Sequence, residues 1–485
     1  MRSAAFSFLL SLVCAAALTP VLRALAFKRG WLDHGLEARK IHGRPIPRLG
    51  GVAIVLGFFA PLLGLLVYPT SMAEKFYAEP LRAGALLMGG IVIALLGLFD
   101  DVRGAGAGLK LTVQLLVGCG LWACGLRVEH LGVTGFGVVQ LGLFSLPVTI
   151  FWIAGVINAM NLIDGLDGLA GGVAFFALAA SFLVAFVRGD ATMALLSAAL
   201  AGSVLGFLVY NFNPASIFMG DTGSMFLGYV LAAGSVQTYQ KASTTVAILV
   251  PLVALALPLT DTLLAIGRRA ASGRPIFSAD REHIHHRLLA LGLTQRQAVL
   301  VLYGASGVLG ASALLLSFSN SWQTALTLTV LAALGVVGLR RLYFVGREGE
   351  AAPEPSGPSP RQAARALAPA LQAANGVEAL AAALSPLLGP LGADRLSLLL
   401  PGRAPLLAER PGAAGAAATL RERFALGDDG TLGALEASFH LPPGRAALDQ
   451  ERRVALEVVS DLLSTALGRL AGPGRLGAGD ARDQE

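Results

Sequence analysis

The chain returns again and again to runs of about twenty apolar residues with almost no charge, the length an α-helix needs to cross the hydrocarbon core of a bilayer. Such runs lie near 3–25, 49–68, 82–99, 109–126, 143–160, 169–187, 191–210, 223–239, 244–266, 298–317 and 322–339. Backbone groups in lipid must find partners within the protein, so helices are expected. The pattern reads as an all-α polytopic membrane protein with about eleven transmembrane helices. Composition agrees, because 55% of the residues are hydrophobic and only 14% are charged. A soluble chain of this length carries far more charge on its surface. The first run follows Arg2 directly and has the look of a leader, but its length favours a retained span over a cleaved signal. Cys14, Cys119 and Cys124 all lie in apolar runs, which argues against a disulfide framework and against a cysteine metal site. The net charge of +6 is modest, and no nucleic acid is expected among the partners.

Loop charges set the orientation. One group of connections holds Lys28, Arg29, Arg39, Lys40, Arg44, Arg48, Arg103, Lys110, Arg268, Arg269, Arg274, Arg281, Arg287, Arg296, Arg340, Arg341 and Arg347. The opposite group holds Arg2, Lys75, Arg82, Arg127, Arg188 and Lys241. The positive-inside rule puts the first group, and with it the C-terminus, in the cytoplasm and the N-terminus outside. The clusters Asp100–Asp101, 161–167, 211–221 and 283–286 then fall on the cytoplasmic face without further assumption. Carboxylates at span ends are costly to bury and point to function. Four clusters on one face imply one shared site.

The character changes near residue 350. Residues 1–345 form the membrane part, and the Pro- and Ser-rich stretch at 346–362 reads as a linker. Residues 363–470 read as a small C-terminal α+β soluble domain, with strands at 391–400 and 431–439 and a helix at 448–470. Residues 471–485 read as a disordered tail.

Five motifs carry the chemistry. In GLFDDVRG, Asp100 and Asp101 end the third span. Adjacent acids repel each other, which favours a site where a divalent cation or a base compensates, although an acidic span end facing water is the plain alternative. NAMNLIDGLDGLAGG (158–172) combines Asn161, Asp164 and Asp167 with glycines that allow close approach to a ligand. In NFNPASIFMGDTGSMFLGY (211–229), Asp221 precedes a span, where it would hold a cation, cap the helix, or do both. Asn211 and Phe218 flank it, and Phe218 is suited to stacking on a base. PIFSADREHIHHRL (275–288) packs His283, His285 and His286 between Arg281 and Arg287. Its H-x-H-H spacing matches no structural zinc set, so a phosphate site or a solvated basic loop remains. ARKIHGRPIPRLGG (38–51) sets Lys40 among prolines and glycines, as an ordered phosphate-facing loop or as a positive-inside loop.

Taken in order over residues 1–345, these motifs resemble the bacterial polyprenyl-phosphate N-acetylhexosamine-1-phosphate transferases, relatives of the phospho-N-acetylmuramoyl-pentapeptide transferase. FSADREHIHHRL followed by GLTQRQA is similar to the branch that uses UDP-N-acetylglucosamine. The muropeptide branch carries three consecutive histidines after a proline, which are absent here. The acidic motif departs from a DDxxD form, since Gly104 stands where the last acid would be.

The resemblance implies an enzyme of the bacterial inner membrane that joins undecaprenyl phosphate, a membrane lipid, to a UDP-hexosamine. The lipid phosphate would attack the β-phosphorus, UMP would leave, and the lipid-linked sugar would start an envelope polysaccharide. The muropeptide transferase is the alternative within the class, and an inactive scaffold or a carrier lies outside it. The resemblance further implies Mg2+, with Mn2+ as a substitute, held by Asp221 with Asp164 as a second candidate ligand. It makes Asp100 a catalytic base or positioning group for the lipid phosphate, with Asp101 beside it in the catalytic set. It places Asp164, Asp167, His283, His285 and His286 in the catalytic centre. Lys40, Lys110, Asn161, Asn211, Phe218 and Arg281 would contact nucleotide or phosphate. Dimers are common in the family, so a homodimer is among the expected assemblies. The C-terminal domain resembles the end of a GAF-type sensory domain.

Overall fold

The computed structural model describes residues 2–33, 46–67, 74, 78–133, 137–241, 249–271, 283–344, 360–409, 420–427, 431–439 and 450–470. Contacts divide the chain into two compact units, 1–350 and 351–485.

The first unit is a bundle of helices: α1 (Arg2–Arg29), α2 (Gly50–Val67), α3 (Pro80–Arg103), α4 (Ala107–Ala123), α5 (Ser145–Ile163), α6 (Leu169–Val187), α7 (Ala191–Asn211), α8 (Gly220–Lys241), α9 (Leu249–Ala254), α10 (Ala256–Ala271), α11 (Ile284–Ala290), α12 (Gln295–Leu316) and α13 (Ser321–Phe344). Two short antiparallel ladders accompany them. Leu32–Asp33 (β1) pairs with Ile46–Pro47 (β2), and His130–Val133 (β3) pairs with Gly137–Gln140 (β4).

Among the described residues, seven helices are long and apolar enough to cross a membrane: Ser3–Arg29, Pro80–Arg103, Gly142–Ile163, Leu169–Val187, Ala191–Asn211, Gln295–Leu316 and Trp322–Leu342. The chain is a multi-pass membrane protein. Eleven crossings are more than these helices establish. The runs at 49–68 and 109–126 give shorter apolar helices, and α8 carries Asp221, Gln237 and Lys241. The single span read at 244–266 is broken, since α9 ends at Ala254 and α10 begins at Ala256. Pro258 explains the break: it has no N–H to give the Ala254 carbonyl, and its ring crowds that oxygen.

The bundle closes around α7, whose apolar window is 83% buried. Small residues make this possible. A β-carbon at Gly202 would lie 2.1 Å from the Phe8 carbonyl oxygen, and one at Gly206 would lie 2.3 Å from that of Leu12. The backbones of α1 and α7 therefore touch, the packing that small-xxx-small spacing allows in lipid. Ser203 Oγ on α7 donates to the Ile54 carbonyl of α2 at 2.6 Å.

The second unit holds a four-stranded antiparallel sheet in the order Leu406–Glu409 (β6), Arg395–Leu399 (β5), Gly433–Phe439 (β8), Leu420–Leu426 (β7). Leu396 pairs with Ala437 and Leu398 with Leu435, and all four side chains are buried. After the short helices Pro360–Ala366 (α14), Ala368–Ala373 (α15), Val377–Ala383 (α16) and Leu388–Leu391 (α17), helix α18 (Gln450–Leu470) buries Ala455, Leu456, Val459 and Leu463 in the same core. The strand read at 391–400 starts later, at Arg395, because 388–391 close a helical turn.

Candidate active site

Adjacent residues on a helix point about 100° apart, and this separates the two acids at the end of α3. Asp100 accepts from Ala105 N at 2.5 Å and from Lys110 Nζ at 3.2 Å. The same Nζ donates to Asp221 Oδ2 at 2.8 Å. Lys110, at the start of α4, thus bridges two carboxylates from α3 and α8. Asp101 turns the other way. It accepts from Asp221 N at 2.8 Å, from Thr222 N at 2.9 Å and from Thr222 Oγ1 at 2.6 Å. The first N–H groups of a helix lack intrahelical partners, so Asp101 serves as the cap of α8, supplied by a different helix.

The loops between helices are tied to one another. Phe218 N donates to the Pro47 carbonyl at 2.7 Å, while Gly50 N and Gly51 N donate to the carbonyls of Phe218 and Met219 at 2.9 and 2.7 Å. Asp167 accepts from Asn213 Nδ2 at 2.9 Å and Ala215 N at 3.0 Å. Asn211 is 3% exposed, accepts from Gly168 N at 3.1 Å, and donates to the Ile217 carbonyl at 2.9 Å. Asp167 and Asn211 therefore hold the loop that presents half-buried Phe218. Asn161 Nδ2 donates to Ser224 Oγ at 2.9 Å and lies beside Asp221. Asp164 follows the last turn of α5; burial first, then the charges of Asp221, Asp101 and Asp167, push its carboxyl up to about 7.

The three histidines divide as well. His283 Nδ1 lies 3.0 Å from Asp261 Oδ2, and both side chains are buried. The His285 ring stacks parallel to that of His283 with centroids 5.7 Å apart, and His286 lies 4.3 Å from His285. Burial, and then the neighbouring His286, hold His285 down to about 3, so it is neutral near pH 7. A β-carbon at Gly165 would stand 2.4 Å from His285 Nε2. The histidine cluster is thus docked on the turn between Asp164 and Asp167. Gly165→Ala is expected to displace His285 and lower turnover about tenfold, roughly 1.4 kcal/mol of barrier. Wild-type turnover would show that this contact is not needed.

The structure brings Asp100, Asp101, Lys110, Asn161, Asp164, Asp167, Asn211, Phe218, Asp221, His283, His285 and His286 to one end of the bundle through these contacts. Lys40 and Arg281 lie outside the described residues. Sequence reasoning missed Asp261, because it lies within a run read as a span. Its one signal was a carboxylate in the midst of apolar residues, PLTDTLL.

The donor set suits Mg2+. Asp100, Asp101, Asp164 and Asp221 gather at this end of the bundle, and Lys110 is bonded to two of them, Asp100 and Asp221, so the acids outnumber that cation. Among the described residues no three His, Cys, Asp or Glu side chains form a ready coordination cage. Mg2+ characteristically takes one or two carboxylates and completes its shell with water and substrate phosphates. Asp221, with Asp164 near enough to feel its charge, meets that description.

Residues 83–239, which span α3 to α8, match the model of glycosyl transferase family 4. The chain is 37% identical over 326 residues to the probable undecaprenyl-phosphate N-acetylglucosaminyl 1-phosphate transferase of Bacillus subtilis, covering 67% of this chain and 88% of that protein. It is 35% identical over 354 residues to the decaprenyl-phosphate N-acetylglucosaminephosphotransferase of Mycobacterium tuberculosis, covering 68% and 86%. It is 29% identical over 304 residues to the undecaprenyl-phosphate alpha-N-acetylglucosaminyl 1-phosphate transferase of Escherichia coli, covering 61% and 80%. With this extent of likeness in sequence, the chain belongs to glycosyl transferase family 4, among the polyprenyl-phosphate N-acetylhexosamine-1-phosphate transferases.

Proposed function

We propose that the protein transfers N-acetylglucosamine 1-phosphate, or a related hexosamine 1-phosphate, from a UDP-sugar to undecaprenyl phosphate and releases UMP. The observation that carries this reading is the bridge of Lys110 between Asp100 and Asp221, a cation between two acids at the end of apolar helices. That is where a lipid phosphate held in the bilayer would meet a soluble nucleotide. The relatives' acceptors are polyprenyl phosphates by name.

Two anions must be brought together for this reaction, so charge neutralisation and alignment dominate the barrier. Lys110 offers its ammonium to a phosphate oxygen, and Asp100 sets where that ammonium stands. A phosphate monoester has a second pKa of about 6, so the acceptor is largely ionised at pH 7 and needs no strong base. Asp100 therefore positions rather than deprotonates. Phe218 would stack on uracil, a role supported by its half-buried place on a loop held by Asp167 and Asn211. Mg2+ held by Asp221 and Asp164 would supply further neutralisation of the diphosphate, and Mn2+ would substitute for it. The charge bias of the loops supports an orientation with site and C-terminus cytoplasmic and N-terminus outside, the apolar runs support eleven crossings, and the family resemblance supports the inner membrane. The sheet and helix of the C-terminal unit support a GAF-like module.

The test is a transfer assay in detergent with polyprenyl phosphate, Mg2+ and a panel of labelled UDP-hexosamines. Labelled lipid together with UMP, abolished by EDTA, is the expected result. Folded protein that makes no lipid product from any UDP-hexosamine would overturn the reading.

A further inference from the structure

Asp261 belongs to no motif that directed attention to the site, and it stands within α10 at 2% exposure. Both of its oxygens are committed. Oδ2 faces His283 Nδ1 at 3.0 Å, and Oδ1 accepts from Ile284 N at 2.9 Å. A carboxylate can only accept, so Nδ1 carries the hydrogen and Nε2 is the atom left for another partner. The two bonds fix a ring and the backbone next to it, which sets both the rotation of His283 and the start of α11.

Everything beyond that point follows the same anchor. His285, 3% exposed, lies flat against His283 with an angle of 2° between the rings. Its Nε2 edge rests on Gly165, in the turn that joins Asp164 to Asp167. A chain of contacts thus runs from Asp261 through His283 and His285 to the acidic turn.

We propose that Asp261 is a positioning residue of the transfer site, fixing His283 and the start of α11 so that the histidine cluster seats on the Asp164–Asp167 turn. The proposal rests on the sugar-phosphate transferase reading. Stability alone does not explain the arrangement. Desolvating a buried pair of this kind costs about as much as the attraction returns, and a well-packed apolar pair of the same volume is often as stable. What the pair contributes is orientation, as outer partners of metal-bound or reacting histidines do.

The test is a double-mutant cycle in the full-length protein, with Asp261→Asn, His283→Gln and the two combined. Asp261→Asn keeps the shape but can present an N–H to Nδ1, which disturbs the ring. Its turnover is expected to fall at least about thirtyfold while KM for the UDP-hexosamine stays within about threefold. The double variant should be no slower than His283→Gln alone, since the second change removes a partner already lost. A structural role would instead lower the yield of folded protein and leave turnover per folded molecule unchanged. Multiplying losses in the double variant, wild-type turnover of Asp261→Asn, or its failure to fold would each overturn the proposal. An active wild type with multiplying losses sinks only the role of Asp261. A folded wild type inactive on every UDP-hexosamine sinks the proposed function and this inference with it.

Discussion

Asp221→Asn is expected to reduce transfer at least a thousandfold, about 4 kcal/mol of barrier, in a protein that still folds. The substitution keeps the size of the side chain and removes its charge. Lys110 then loses the closer of its two carboxylate partners, the one at 2.8 Å, and the donor set loses its first candidate Mg2+ ligand. The fold has reason to survive, because Asp101 holds the backbone N–H of residue 221 and not its side chain. Turnover and melting temperature measured on the same detergent preparation separate the two effects. Turnover within tenfold of wild type would remove Asp221 from the reacting centre.

The two adjacent acids of α3 should fail in different ways. Asp101→Ala is expected to lower the apparent melting temperature by at least about 5 °C, because bonds to a charged acceptor contribute about 1.5–3 kcal/mol each. Three such bonds tie α3 to the start of α8. Turnover should fall with them, by at least about a hundredfold, since Asp221 rides on that first turn. Asp100→Asn should lose turnover with its melting temperature near that of wild type, because its partners are Lys110, one loop amide and the Asp221 carboxyl, none of them a helix-capping backbone pair. Equal melting temperatures for the two variants would mean that Asp101 is not the cap of α8 in solution.

Much of the site could be read from the chain, and the reason is physical. Acids, asparagines and histidines stand out against apolar runs, because lipid makes each of them expensive. The division of labour among them could not be read. Asp100 and Asp101 are neighbours in sequence, and only the helical turn and the place of α8 send one toward Lys110 and the other toward Thr222. Asn211 and Asp167 carry the same ambiguity: their groups suit a nucleotide, yet in the fold they close a loop. Asp261 was hidden by its surroundings, since the meaning of a lone acid in an apolar run depends on a histidine 22 residues away. The break at Leu255 was legible in Pro258 but was outweighed by the apolar length of the run. In the C-terminal unit, Leu420–Leu426 alternates in burial as a half-buried strand does, and its arginines on the exposed positions, with the glutamate between them, leave too few apolar residues for the pattern to stand out in the sequence.

The contact between α1 and α7 has a consequence for how the protein is made. Helix α1 hides Ser7, Ser11 and Thr19 in the finished bundle, yet its main neighbour is synthesised on the order of 200 residues later, about 10–40 s at ordinary translation rates. During that interval its hydroxyls must turn to their own helix, as Thr19 Oγ1 does in donating to the Ala15 carbonyl at 2.7 Å. The first helix can lean on α2, where Gly57 lies against Ala15 and Ser11, but its other face stays open until the ribosome delivers Gly202 and Gly206.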